Sequence, residues 1–317
     1  MKNKSLLMSL CILLTGCNMQ LPLNTNSSKT NVSSKISSNV ESSSTLNSSE
    51  QKETVDIIVM AGQSNMEGHS WCDKLYQNTS STMHNYYRNG FKNTLIMYHC
   101  NRGANQSEKF TPVKAGQGYG TGSFGPEVGI AEELYNREYD KNVYLIKYAV
   151  GGTNLFSEWN VNNPDSLYYQ MVDYVYDQLV YFEELGLKPV IKGFFWMQGE
   201  ADSCWDEGTS TYYNNLSNMV ESFREEFEYY YGDEERGIAF VDAGISDCSS
   251  WINYRQINEI KQAFANEDED KNYYIDTIGN GLEYKYDNTD YYHFDATSEI
   301  KLGKLFISTL LDNEWLD

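Results

Sequence analysis

The chain has few basic side chains for its length. Its 317 residues include 24 Lys and Arg against 45 Asp and Glu, which gives a formal net charge of −21 at pH 7. Proteins that bind nucleic acid or other polyphosphates rely on a basic surface, and the sequence shows no basic patch. The same acidity disfavours docking on anionic lipid. We therefore exclude a nucleic-acid partner and a peripheral lipid-binding function.

Histidines and metal-binding motifs are also scarce. The only histidines are His69, His84, His99 and His293. No Cys-x2-Cys or His-x3-His spacing is present, and the acidic run 267–270 lacks the spacing and the glycine of an EF-hand. We therefore expect no metal site and no cofactor, and any chemistry that needs histidine has to use one of these four.

The apolar run near the N-terminus is too short to span a bilayer. Lys2 and Lys4 precede it, and residues 1–17 end in Leu-Thr-Gly-Cys, so the segment is typical of a signal peptide. This ending resembles the lipobox of bacterial lipoproteins, which implies cleavage before Cys17 and lipidation of Cys17. An ordinary secretory signal with a chance cysteine is the alternative. Both interpretations predict export, and the first predicts an anchor at the cell membrane or cell surface.

Residues 18–53 contain no aromatic side chain. The segment has eleven Ser and six Asn, and its three Lys balance its three Glu. Such a composition cannot bury enough apolar surface to offset chain entropy, so we predict a flexible tether. Residues 54–317 are then the folded domain.

Four cysteines remain in that domain, namely Cys72, Cys100, Cys204 and Cys248. An exported domain permits disulfides, and four cysteines allow three pairings. Proximity along the sequence favours the pairs Cys72–Cys100 and Cys204–Cys248.

Short β-rich runs alternate with helical segments after residue 54. The predicted strands are 55–60, 94–98, 142–149, 190–196, 237–241 and 273–276, and the predicted helices are 126–139, 165–185, 209–230, 251–266 and 296–311. Nearly continuous apolar runs of this length are typical of buried parallel strands. The alternation predicts one open α/β sheet with right-handed crossovers.

Ligands of such sheets bind beyond the carboxyl ends of the strands. Four segments are placed there: 61–66 (AGQSNM), 150–154 (VGGTN), 197–202 (MQGEAD) and 290–294 (DYYHF). We expect these segments to meet at one edge of the sheet.

Within them, Ser64 follows the first strand at a strand-to-helix turn. A serine hydroxyl is a poor nucleophile unless a base takes its proton. His69 lies only five residues away and is not expected to face it, whereas His293 follows Asp290 by three residues. That spacing can place the carboxylate beside Nδ1 and direct Nε2 to the serine. Each residue also has a structural alternative, as a helix cap, a turn residue or a packed ring.

An acyl-transfer site also needs donors for the developing oxyanion. The candidates are the Ser64 N–H, an N–H at Gly151 or Gly152, and the side-chain amide of Gln198. The two glycines could instead form a plain turn, and Gln198 could instead satisfy loop backbone.

Taken together, GQSNMEG (62–68), FGPE (124–127), AVGGTN (149–154), WMQGEAD (196–202) and DYYHFDA (290–296) resemble the SGNH hydrolases. The sequence is most similar to the sialate O-acetylesterase-type branch, which includes the acetylxylan esterases of carbohydrate esterase family 6. The resemblance implies a three-layer αβα sandwich of the flavodoxin-like type, with a mainly parallel sheet of about five strands.

The resemblance also implies residue roles. It makes Ser64 the nucleophile, His293 the general base and acid, and Asp290 the carboxylate that orients His293. It further implicates Glu200 near the histidine, with its role open. Gln198 stands where the wider superfamily has an oxyanion asparagine.

We therefore expect an exported, lipid-anchored serine esterase that removes O-acetyl groups from acetylxylan or a related glycan. A sialic acid O-acetylesterase is one alternative, and lipid or thioester hydrolysis by the same residues is another. An alternative of another class is a catalytically silent carbohydrate-binding lipoprotein. Trp71, Trp159, Trp205 and Trp251 fall in or near the predicted edge loops, where they could stack on sugar rings or pack within the loops.

Overall fold

A computed structural model describes residues 52–77, 79–284 and 290–316 of the chain. The signal segment 1–17 with Cys17, and the tether as far as residue 51, lie outside the described residues. Both stay predictions.

The strands are numbered in chain order. They are β1 (Thr54–Gly62), β2 (Ser70–Trp71), β3 (Phe91–Cys100), β4 (Asn105–Gln106), β5 (Thr111–Val113), β6 (Ser123–Phe124), β7 (Val143–Ala149), β8 (Lys188–Met197), β9 (Ala239–Ala243) and β10 (Asn272–Ile275). All six strands predicted from the sequence are among them. The four shortest strands, β2, β4, β5 and β6, were not anticipated.

The main sheet has the order β10-β9-β8-β1-β7-β3-β4, and β5 also pairs with β3. Every pair from β10 to β3 is parallel, whereas β4 and β5 run antiparallel to β3. β2 and β6 form a separate two-stranded ribbon. The main sheet therefore has six parallel strands among the described residues, which matches the six predicted strands and is one more than the resemblance implied, with β1 near its centre.

Helices cover both faces of the sheet. They are α1 (Ser64–Glu67), α2 (Cys72–Gln77), α3 (Ser81–Asn89), α4 (Glu127–Asn136), α5 (Leu167–Glu184), α6 (Asp206–Glu226), α7 (Tyr254–Ala265) and α8 (Ala296–Asp312). The last five overlap the five predicted helices, and the three short ones were missed. No helix in the described ranges is long and apolar enough to cross a membrane.

Two neighbouring residues of β8 show the three layers. Phe194 stacks on Phe223 of α6 at 4.2 Å, whereas Phe195 stacks on Phe306 of α8 at 4.8 Å. Because successive strand side chains point to opposite faces, α6 and α8 lie on opposite sides of the sheet. The predicted αβα sandwich is confirmed.

Close approach of α4 and α8 depends on glycine. A Cβ atom at Gly129 would lie 2.1 Å from the Ile300 carbonyl oxygen, and one at Gly303 would lie 2.0 Å from that of Pro126. Any larger residue at either position would push the two helices apart.

The two predicted disulfides are absent, because all four described cysteines are free thiols. Cys100 is fully buried, and its thiol lies 3.7 Å from the Glu67 carbonyl oxygen and 3.9 Å from that of Gln117. Burial raises the pKa of Cys100 to about 12 and that of Cys72 to about 11. The pairing Cys72–Cys100 was therefore wrong, because the Cys100 thiol faces the carbonyl oxygens of Glu67 and Gln117 instead of Cys72. Cys204 is exposed while Cys248 is buried, and Cys204 donates to the Glu200 carbonyl oxygen at 3.3 Å, so the pairing Cys204–Cys248 was wrong as well.

A fully buried ion pair joins β7 to the start of α4. The Lys147 ammonium donates to Glu127 at 2.8 Å, to the Gln117 carbonyl oxygen at 2.8 Å and to the Glu67 carbonyl oxygen at 3.2 Å. The other carboxylate oxygen of Glu127 accepts the Gly125 N–H at 2.9 Å. All three ammonium protons thus have an acceptor, as burial of a charge requires.

Replacing this lysine should destabilise the fold strongly. We expect Lys147→Met to lower the free energy of unfolding by about 3–5 kcal/mol, because it leaves the Glu127 carboxylate buried without its partner. Urea denaturation followed by circular dichroism measures the change. The control is Lys271→Met, whose partly exposed pair with Asp268 spans 3.2 Å and should contribute less than about 1 kcal/mol. Equal effects of the two variants would contradict the role given to Lys147.

Candidate active site

Ser64 is placed by a sharp turn at the end of β1. Gly62 has a φ of +145°, and a Cβ atom there would lie 2.1 Å from the Met197 carbonyl oxygen, so only glycine fits. The next residue, Gln63, donates its N–H to the same carbonyl at 2.9 Å. Ser64 then opens α1 at the carboxyl edge of the sheet, where the sequence predicted it.

Asp290 and His293 form the predicted carboxylate–imidazole contact. The Asp290 Oδ2 atom lies 2.9 Å from His293 Nδ1. Its Oδ1 atom accepts the N–H groups of Tyr292 at 3.1 Å and His293 at 3.2 Å. The carboxylate therefore fixes both the turn and, through Nδ1, the imidazole ring. The catalytic roles of the two residues stay predictions.

Ser64 and His293 line the same open cavity, which has a volume of about 360 Å³. Three of the four predicted edge segments contribute to it, through Gln63, Ser64, Val150, Gly151, Gly152, Tyr292 and His293. Segment 197–202 contributes no lining residue. The remaining walls come from Glu67, His69, Asn101, Arg102, Tyr119 and Trp251.

Glu200 lies behind this cavity and is almost completely buried. Its Oε1 atom accepts the Asn65 side-chain amide at 2.8 Å, and Asn65 Oδ1 accepts the Phe294 N–H at 3.1 Å. Burial raises the pKa of Glu200. Glu200 therefore ties the serine helix to the segment that carries His293, and the carboxylate on His293 is that of Asp290.

Gln198 does not reach the cavity, so its prediction as an oxyanion donor was wrong. The side chain is fully buried, and its amide nitrogen donates to Asp202 at 2.6 Å, to the Thr153 carbonyl oxygen at 3.1 Å and to Gln63 at 3.2 Å. Asp202 also accepts the N–H groups of Leu155 and Phe156. The competing carboxylate thus draws the amide into a network that holds the loop after β7.

The two glycines differ in their surroundings. The Gly151 N–H donates to Glu67 Oε2 at 3.2 Å, so it already has an anionic acceptor. Gly152 adopts a φ of +72°, and its N–H makes no hydrogen bond to any described residue. The same holds for the Ser64 N–H. These two N–H groups are therefore the candidate backbone donors for an oxyanion.

Sequence reasoning did not consider Gln63, which lines the cavity and is a third candidate donor. Its Oε1 atom accepts the Gln198 side-chain amide at 3.2 Å and the N–H groups of Ala201 at 3.3 Å and Gly199 at 3.5 Å. Three donors on one oxygen fix the amide orientation and leave Nε2 as the donor of this cavity-lining side chain. The sequence feature that could have indicated this residue is its position between Gly62 at the turn and Ser64.

Sequence reasoning also missed His69, which lines the cavity together with Ser64. The expectation that it would not face the serine site was wrong. The Gly-His-Ser segment after α1 turns back into β2, which brings the ring to the cavity instead of away from it.

Of the four candidate sugar-stacking tryptophans, only Trp251 lines the cavity, where it packs on Tyr292 at 5.4 Å. Trp159 is buried and donates its indole N–H to Thr153 at 2.8 Å. Trp205 packs on Phe156 at 6.1 Å, and Trp71 is exposed outside the cavity. The aromatic wall of the cavity is therefore formed by Trp251, Tyr292 and Tyr119.

Comparison with known proteins adds a family. The family model described as carbohydrate esterase, sialic acid-specific acetylesterase, matches residues 54–312. No curated protein matches the chain.

Solved structures resemble the fold at low sequence identity. A protein from Arabidopsis thaliana shares 20% identity with a TM-score of 0.59, covering 81% of this chain and 98% of its own. NanS shares 14% sequence identity with a TM-score of 0.58, and the match covers 82% of this chain and 97% of NanS. A structure described as a novel carbohydrate acetylesterase from Xanthomonas citri shares 16% with a TM-score of 0.55, covering 80% of this chain and 55% of its own.

The two carboxylates of the site should respond differently to substitution. We expect Asp290→Asn to lower kcat on an aryl acetate by about 10³–10⁴-fold, because an amide cannot stabilise the imidazolium. Glu200→Gln keeps an oxygen for Asn65 and should stay within about threefold of wild type, whereas Glu200→Ala should lose about 10–100-fold through misplacement. Steady-state kinetics measure all three. A Glu200→Gln variant as damaged as Asp290→Asn would show that the Glu200 charge itself takes part.

Proposed function

Because the match over residues 54–312 makes the chain a member of the carbohydrate esterase family of sialic acid-specific acetylesterases, we propose that it removes O-acetyl groups from a neutral polysaccharide such as acetylxylan. The membership itself makes the chain a carbohydrate O-acetylesterase. The preference for a neutral glycan is supported by the net charge of −21, which repels polyanionic sialoglycans.

The reaction is proposed to run through an acetyl-enzyme. Ser64 Oγ attacks the acetyl carbonyl carbon while His293 Nε2 takes the hydroxyl proton. The ester C–O bond then breaks, and His293 returns the proton to the sugar oxygen. Water attacks the acetyl-serine with His293 again as base, which releases acetate and restores the serine. Asp290 stabilises the imidazolium in both halves.

The observation that carries this proposal is the shared cavity of Ser64 and the Asp290–His293 pair. Nucleophile, base and orienting carboxylate come from opposite ends of the chain, and a single open space of about 360 Å³ adjoins both the serine and the imidazole. The Ser64 and Gly152 N–H groups and the Gln63 amide are the proposed oxyanion donors.

A sialic acid O-acetylesterase is the second candidate. The observation in its favour is Arg102, a cation on the cavity wall. Its guanidinium lies 3.7 Å from Glu158, so the charge is already partly compensated. This pairing supports the neutral substrate over the acidic one.

Acetate release tests the proposal. The full chain should release acetate from acetylated xylan, and Ser64→Ala should lose at least about 10³-fold in rate. Acetylated sialic acid, assayed in parallel, separates the two substrates. Turnover of an aryl acetate without turnover of acetylated xylan would rule out xylan as the substrate and keep the esterase activity. Sugar binding without any acetate release, from a folded protein, would replace the enzyme with the silent binding protein.

Export and anchoring are proposed from residues 1–53 alone, with the tether holding the domain away from the membrane. In a bacterial host the wild type should fractionate with membranes, and Cys17→Ala should lose the lipid anchor because the acceptor thiol is gone. Globomycin blocks the cleavage of lipoprotein signals. In its presence the uncleaved wild-type chain should accumulate, whereas the processing of the Cys17→Ala variant should not change. A soluble wild type with an intact signal would contradict both the anchor and the export.

A further inference from the structure

A second carboxylate–imidazole pair lies beside the proposed catalytic one. His69 Nε2 is 2.9 Å from Glu67 Oε2, and both residues line the cavity with Ser64. Glu67 belongs to the same short helix as the serine, three residues further on. The proposed mechanism uses neither residue.

The contacts of Glu67 define its charge. Its carboxylate accepts the Asn101 N–H at 2.5 Å on Oε1, and the Gly151 N–H at 3.2 Å together with the His69 ring on Oε2. Backbone N–H groups can only donate, so both oxygens act as acceptors, which is the pattern of an ionised carboxylate. With Glu67 ionised, the proton of this contact lies on His69 Nε2, which donates it.

The His69 ring lies flat against the ring of His293. Their centroids are 4.3 Å apart with an interplanar angle of 21°, and Tyr119 packs on the other side of His69 at 4.5 Å. The charge of the Glu67–His69 pair therefore interacts directly with the His293 ring, in a site that is partly screened from water.

We propose that Glu67 and His69 are positioning residues that set the charge against His293 and thereby the pH range in which His293 serves as a base. With His69 neutral, the pair carries one negative charge and stabilises the imidazolium that forms at His293. With His69 protonated, the pair is neutral, and a second cation on His293 is opposed by the stacked cation. The charges of the two stacked imidazoles are therefore coupled.

Other charged and titratable groups face the two rings from every neighbouring segment. Among the described residues that line the cavity or contact the two rings, they are Glu67 on α1, Arg102 in the turn after β3, Tyr119 in the loop before β6, and Asp290 and Tyr292 in the segment before α8. Asp290 binds both Nδ1 and the backbone N–H of His293, and it is unchanged in the variants below. The test therefore isolates the charge of the Glu67–His69 pair.

Two substitutions should move the pH profile in opposite directions. In His69→Gln no positive charge can form and Glu67 stays negative, so His293 holds its proton to higher pH. The acid limb of kcat/KM on an aryl acetate should then move up by about 0.5–1 pH unit. In Glu67→Gln the negative charge is lost, so the acid limb should move down by a similar amount and the plateau kcat should fall about tenfold.

The matched control is His84→Gln on α3, outside the cavity, which should leave the profile unchanged. His69→Phe keeps a stacked ring without a titrating nitrogen and should move the limb in the same direction as His69→Gln, which separates charge from packing. Shifts of the same sign for His69→Gln and Glu67→Gln, or no shift in His69→Gln, would overturn the proposal. A loss in His69→Gln as large as in His293→Ala would make His69 itself the base and would also overturn it.

This inference rests on the proposed function. A measurement that needs no ester hydrolysis can test the inference separately from the proposed function. With only four histidines, imidazole NMR of the full chain can follow the His293 ring directly during a pH titration. The His293 curve should move to higher pH in His69→Gln even if no ester is hydrolysed. An unmoved curve in an active enzyme would reject the coupling and keep the esterase.

Discussion

Lys147 carries a charge in the middle of the sheet, and that charge has to be neutralised within the fold. Its partner Glu127 opens α4 and also binds the Gly125 N–H. The remaining ammonium protons bind the carbonyl oxygens of Gln117 and of Glu67 at the end of the serine helix. A buried ion pair contributes little net stability compared with apolar packing, but an unpaired one is costly. The pair therefore specifies where α1 sits relative to β7, and the position of Ser64 depends on it.

The loop after β8 has a supporting role that its motif does not suggest. Gln198 and Asp202 bind the backbone of the loop after β7, and Gln198 also helps to fix the amide of Gln63. Glu200 holds Asn65, which in turn holds the segment of His293. All three side chains are buried, and together they bind the loop after β7, Gln63 and the serine helix. The loop thus aligns Ser64, the glycine turn and His293 while it contributes no lining residue to the cavity.

The sequence predicted the strands because buried parallel strands are continuous apolar runs, and it predicted the edge on which the site lies because parallel strands share a carboxyl end. The Asp290–His293 contact was predictable because it is local, closed by three residues of chain. The direction of Gln198 was not, because it depends on the competing Asp202 carboxylate. The predictions for His69 and for the cysteine pairs were wrong for a similar reason. Spacing along the chain does not say which side chain faces the cavity and which faces the interior.

The buried charge of Glu67 also limits where the oxyanion can form. Two negative charges about 4 Å apart repel by roughly 4 kcal/mol at the effective dielectric constant of a protein surface. An oxyanion bound at the Gly151 N–H would share that donor with Glu67 Oε2, 3.2 Å away. The Ser64 and Gly152 N–H groups and the Gln63 amide are not bound to that carboxylate. In the proposed mechanism, the carboxylate that would favour the imidazolium of His293 therefore competes for one donor, and the other three are the proposed donors of the oxyanion.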